Sequence, residues 1–132
     1  MEKIYQNLLE EAKKASEHAY SPYSNFSVGA CVLYENNKKY TGCNVENASY
    51  GLSLCAERNA ISNAISQGET SKIVAIAVYS PNQKKCLPCG ACRQWLSEFS
   101  FDENVKIILE DDNNELLILT LEDIFPHGFK LN

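Results

Sequence analysis

Two short runs hold the residues best suited to chemistry. One is Cys55-Ala56-Glu57; the other is Pro88-Cys89-Gly90-Ala91-Cys92, with Cys86 three residues ahead of Cys89. Two C-x-x-C pairs sharing Cys89, together with a distant cysteine, have ligand types and spacing that suit zinc. A structural zinc site closes with four protein ligands, whereas a catalytic one keeps a position for water. Cys55, Cys89 and Cys92 would leave that position open; Cys86 as a fourth ligand would close it, and spacing does not choose between the two. A thioredoxin-like redox pair fits less well, because that motif belongs to a different strand context. Glu57 shares a helical face with Ala60, Ile61 and Ala64, so its carboxylate points toward a core. Beside a metal, such a carboxylate suits proton transfer. The plainer alternative is a first-turn acid interacting with the helix dipole.

The surrounding pattern must position these groups. Ile4, Leu8, Ala12, Ala15 and Ala19 have helical spacing and predict a first helix ending before Ser21-Pro22. Phe26 to Tyr34 and Tyr40 to Val45 read as a hairpin around Glu35-Asn36-Asn37. Leu54 to Ile65 reads as a helix with Ser53 as candidate N-cap, and Ile73 to Tyr79 as a strand buried on both faces. Gly90 to Phe99 predicts a third helix, followed by strands at Val105 to Leu109 and Leu116 to Thr120 and a last helical turn at Leu121 to Phe125. Helices interrupting strands require crossovers and a sheet covered on both sides. The expected fold is α/β, a three-layer α/β/α sandwich around a five-stranded mixed sheet. Both cysteine runs then fall where a strand hands over to a helix, and helix N-termini favour thiolates.

With 132 residues, the chain is expected to be one domain, 1–132, hiding roughly two-thirds of its unfolded surface. Its net charge of −5 argues against a surface built for nucleic-acid phosphates or anionic lipid. Met1 to Glu17 is too charged for a signal peptide, so a cytoplasmic location is expected. In that reducing compartment the six cysteines read as ligands, catalytic thiols or core filler rather than disulfides. Cys31 and Cys43 read as buried thiols, and His18 and His127 as non-ligands.

The two cysteine runs, continuing through Arg93-Gln94, resemble the small homotetrameric zinc-dependent cytidine deaminases. So do Ser21-Pro22-Tyr23-Ser24-Asn25-Phe26-Ser27-Val28-Gly29-Ala30 and Gly42-Cys43-Asn44-Val45-Glu46-Asn47-Ala48-Ser49-Tyr50, in the family's order. Zinc deaminases pair a metal-activated water with a Glu that is not a ligand. The resemblance implies a cytidine deaminase-like fold and hydrolysis of cytidine and 2′-deoxycytidine to uridine and 2′-deoxyuridine with release of ammonia. It implies Zn²⁺ on Cys55, Cys89 and Cys92, with no role for Cys86, and Glu57 as the proton shuttle. Asn44 and Glu46 would hold the ribose, with Phe26 and Ala56 at the pyrimidine. Arg58 and Arg93 each lie one helical turn beyond a ligand, where a guanidinium could donate to its sulfur. Phe129 is expected to close a neighbouring subunit's pocket in a homotetramer. Two rivals stand beside this reading: a deaminase of the same fold acting on a cytosine nucleoside analogue, and a non-enzymatic structural zinc module. A nucleic-acid deaminase is disfavoured, since those enzymes typically carry His where this chain has Cys55.

Overall fold

The continuous apolar run Ile73–Tyr79 forms β3, the middle strand of a five-stranded sheet ordered β2-β1-β3-β4-β5. The computed structural model describes residues 2–129. In chain order the elements are α1 (Glu2–Ser16), β1 (Gly29–Tyr34), β2 (Lys39–Cys43), a 3₁₀ turn (Tyr50–Leu52), α2 (Ala56–Ser66), β3, α3 (Gly90–Phe99), β4 (Lys106–Glu110), β5 (Leu116–Thr120) and α4 (Leu121–Ile124). β1 is antiparallel to both β2 and β3, and β4 to β5; β3 and β4 run parallel. A parallel step needs a crossover, and α3 supplies it.

Strand alternation divides the core into two layers. On one face Tyr5, Leu8, Leu9 and Ala12 of α1 pack on Cys31, Leu33, Ala75, Ala77 and Ile108. On the other, Ala60, Ile61 and Ala64 of α2, Leu96 of α3 and Leu121 of α4 pack on Val32, Ile76, Val78, Ile107 and Leu109. The result is the expected three-layer arrangement. Leu8 and Leu9, almost wholly buried, are each worth about 1.5–3 kcal/mol of transfer free energy.

Some expected boundaries move. α1 stops at Ser16, and its buried stripe is Tyr5, Leu8, Leu9, Ala12 and Ser16, rotated away from Ile4, which is 47% exposed. Ser53 is not the N-cap of α2; Cys55 is, as Cys89 is for α3, and neither thiol makes a capping hydrogen bond. The Ser53 hydroxyl instead accepts from the Asn47 backbone N–H.

Two glycines set how closely the helices approach the sheet. A Cβ on Gly29 would stand 2.0 Å from the Ala12 carbonyl oxygen, and one on Gly42 would stand 2.3 Å from the Ala60 nitrogen. Neither space admits a methyl group, so α2 rests directly on β2. The ladder bonds Tyr34 N–Lys38 O and Asn44 N–Val28 O fix which β2 groups face β1. By antiparallel alternation, the carbonyls of Thr41 and Cys43 face outward. Asn63 Nδ2 donates to Thr41 O at 3.1 Å, and Asn59 Nδ2 to Cys43 O at 2.8 Å. No helix among the described residues is long and apolar enough to cross a membrane.

Candidate functional site

The register brings one end of three strands together. Gly29, which opens β1, stands opposite both Cys43 at the end of β2 and Tyr79 at the end of β3. Segments 26–28, 44–46 and 80–89 therefore meet at one edge of the sheet, where α2 and α3 also begin. There they enclose a cavity of about 390 Å³ lined by Phe26, Val28, Asn44, Glu46, Ala56 and Glu57, and by Cys55, Cys86, Leu87 and Cys89.

Cys55 and Cys89 line this cavity, and their sulfurs and that of the fully buried Cys92 lie within 4.8 Å of one another. Cys55 Sγ is 3.6 Å from Cys89 Sγ, which is 3.5 Å from Cys92 Sγ. A zinc tetrahedron with Zn–S of about 2.3 Å has edges of about 3.8 Å, so the three thiols fit that ion. All six cysteines are free, and Cys86 stands outside the trio, packed against the core with burial pushing its thiol up to about 11. Cys31 is buried as expected, whereas Cys43 is only half-buried.

Local structure explains the sulfur chemistry. Cys55 and Cys89 keep extended backbones at helix N-termini while their carbonyls accept the first helical bonds, from Asn59 N at 3.1 Å and Arg93 N at 2.9 Å. Arg58 Nη2 donates to Cys55 Sγ at 3.3 Å. The Cys55 thiol is held down, first by its hydrogen bond with Cys92 and then by Arg58, while Cys92 in the same exchange is pushed up. Arg93 makes no hydrogen bond to any of the three sulfurs. Its Nε donates to Pro88 O at 2.8 Å and its Nη1 to Ile124 O at 2.7 Å, bracing the approach to Cys89 against the end of α4.

Glu57 is 4% exposed in the lining of the same cavity, and burial pushes its carboxyl up to about 7, with the nearby Cys55 charge acting in the same direction. Asn44 and Glu46 line the cavity wall, but each is already engaged. Asn44 Oδ1 accepts from Val28 N and its Nδ2 donates to Phe26 O, both at 2.8 Å, so one amide clamps the backbone carrying Phe26. Glu46 accepts from Tyr23 N at 3.0 Å, from Ser24 N at 3.2 Å and from the Ser24 hydroxyl. These bonds, the hydroxyl's foremost, hold its carboxyl below the ordinary range. An ionised carboxylate has room for about four acceptor contacts, so Glu46 retains capacity for a further hydroxyl.

Ser24, which stands in a run that carries the resemblance but has no role assigned from it, and Asn82, which the sequence does not single out, both hold this wall together. Ser24 joins Glu46 to Phe26 N, and Asn82 Oδ1 accepts from Ser27 N at 2.8 Å across 55 residues of chain. Periodicity carries no signal for such long-range bonds between exposed segments. Phe129 lies outside the cavity lining and is 66% exposed, with its carbonyl accepting from Gln94 Nε2 at 2.7 Å. His18 and His127 are exposed and apart from the sulfurs.

Comparison with known proteins places this geometry in context. Residues 2–108 match the family described as the cytidine and deoxycytidylate deaminase zinc-binding region. The cytidine deaminase of Halalkalibacterium halodurans is 41% identical over 94% of this chain and 92% of its own length. That of Mycoplasma genitalium is 32% identical over 93% of each. Among solved structures, cytidine deaminase from Burkholderia pseudomallei superposes with a TM-score of 0.85 at 40% identity, covering 94% of this chain and 98% of that one. The Mycobacterium tuberculosis enzyme gives 0.82 at 36% identity, covering 96% of this chain and 98% of the other.

Proposed function

The chain belongs to the zinc-dependent cytidine deaminase family, and from that premise we propose that it hydrolyses cytidine and 2′-deoxycytidine to uridine and 2′-deoxyuridine, releasing ammonia. The observation that carries this reading is a buried carboxyl, Glu57, lining the same cavity as Cys55 and Cys89, two of three converging thiols.

Cys55, Cys89 and Cys92 would hold the metal beside the cavity. A zinc ion there supplies Lewis-acid chemistry that makes water nucleophilic near neutral pH. The remaining work falls to side chains. Glu57, with a proton affinity near neutrality, takes a proton from the attacking water and gives it to pyrimidine N3. It then takes the second proton from the hydroxyl formed at C4 and delivers it to the departing amino group. One water is consumed and one ammonia leaves, so atoms balance. Arg58 offsets the negative charge of three thiolates. Phe26 and Ala56 place the base, and the remaining acceptor capacity of Glu46, beside Asn44, takes a sugar hydroxyl.

We further assign the enzyme to pyrimidine salvage in the cytoplasm, where thiols stay reduced, and to a homotetramer. Exposure of Phe129 away from its own cavity supports a role in closing a neighbour's. Cys86 lying outside the sulfur trio weighs against a closed structural zinc module. Purified protein with about one zinc per chain should release equal amounts of ammonia and uridine from cytidine. Zinc-loaded protein producing neither overturns the assignment.

A further inference from the structure

The segment 80–89 carries a metal ligand, Cys89, and two cavity walls, Cys86 and Leu87, yet has no regular secondary structure. Its backbone is constrained just ahead of the ligand. Lys85 has φ of 52°, in the left-handed region, and Leu87 N donates to Lys85 O at 2.8 Å. A non-glycine residue there is held by its surroundings. The holding group is distant in sequence. Glu110, the last residue of β4, accepts from Lys85 N through its carbonyl at 2.9 Å. Its carboxylate takes Lys84 Nζ at 2.5 Å on one oxygen and Lys13 Nζ of α1 at 3.0 Å on the other. Lys84 Nζ also donates to Asn114 Oδ1 at 2.6 Å.

Glu110 is 8% exposed. Burial pushes its carboxyl up, but Lys84 and Lys13 together hold it below the ordinary range. With the Lys84 and Lys13 side chains 37% and 31% exposed, the pairs add little net stability; what they supply is one fixed arrangement. Here the arrangement fixed is that of two consecutive residues, Lys84 and Lys85, through one side-chain and one main-chain bond to the same strand end. Neither bond touches the cavity.

We propose that Glu110 is a positioning residue for the metal-carrying loop, setting the path by which Cys89 enters α3 and meets Cys55 and Cys92. This rests on the zinc reading above. The Lys13 arm joins Glu110 to α1 on the opposite face of the sheet, so it contributes to stability and not to the loop. The two arms can therefore be separated.

The test measures how fast a chelator strips zinc from the purified holoprotein, beside the melting temperature. Glu110→Gln and Lys84→Gln should each lose zinc about fivefold faster, less than the tenfold or more carried by groups that touch a metal ligand directly. Lys13→Gln should lower the melting temperature while leaving the stripping rate within about twofold. If Glu110→Gln does not fold, Lys84→Gln decides alone. Unchanged stripping in Lys84→Gln, or equal acceleration in Lys13→Gln, overturns the anchor and leaves the zinc reading standing. A wild-type protein with no zinc to strip overturns both.

Discussion

Glu57, in the first turn of α2, and Glu69, three residues past its end, show what surroundings do to the same side chain. Glu69 accepts from Ser71 Oγ at 2.6 Å, Ser71 N at 3.0 Å, Tyr40 OH at 2.9 Å and Asn36 Nδ2 at 3.0 Å. Those donors, Ser71 foremost, bring its carboxyl down to about 2. Glu57 is withdrawn from water, and burial outweighs the partners it has, taking it up to about 7. A carboxylate saturated with donors cannot usefully take a proton near neutrality; one denied solvent can. The first rivets the β1–β2 hairpin to the start of β3. The second is suited to moving protons.

The sharpest way to break this contrast is Glu57→Gln. Turnover should fall by at least the ~10⁴-fold upper range of general acid–base catalysis, with zinc content unchanged by atomic absorption. Activity within tenfold of the parent would show that burial had marked the wrong carboxyl. Glu46→Gln probes an intermediate case, a carboxylate with donors and capacity to spare. Its KM for cytidine should rise on the order of ten- to a hundredfold, the worth of a charged hydrogen bond, with zinc retained. A KM equal to the parent's would remove Glu46 from sugar recognition.

The smallest effect is expected at Glu69→Gln, in stability alone. The folded carboxyl titrates near 2 against an ordinary value of 4.5, so the charged form is favoured by folding. That stability is present above pH 4.5 and is lost as pH falls through about 2. Melting curves of parent and variant should therefore differ at neutral pH and converge toward pH 2, with turnover at neutral pH little changed. A gap constant across that range would mean the variant acts by lost packing rather than lost charge.

What the sequence made legible follows from what reports locally. The bounds of β3, α3 and β5 match expectation because an apolar run, Pro88 before Gly90, and the Asp111–Asn114 turn mark them. The stripe of α1 was misplaced because Ile4 and Tyr5 both suit a core, and packing on β1 chose Tyr5. Spacing brought Cys55, Cys89 and Cys92 to notice, but whether Cys86 joined them depended on the fold of segment 80–89. Arg93 sat at the right helical offset, yet the Pro88 and Ile124 carbonyls compete for its guanidinium. The attachment of Glu46 to residues 23 and 24 joins two irregular segments, about which hydrophobic periodicity says nothing.

Asn59 and Asn63 have a consequence for how copies of this chain can meet. β2 is the outermost strand on its side, and an outermost strand ordinarily offers its free carbonyls to any extended peptide that arrives. The outward carbonyls of Thr41 and Cys43 are already occupied by amides from α2, whose close seat depends on Gly42. A new strand would have to displace both amides to use either carbonyl. That margin of the sheet is thereby blunted against fibre-like growth, which leaves side-chain surfaces, with shapes that limit how many copies join, as the better means of association there.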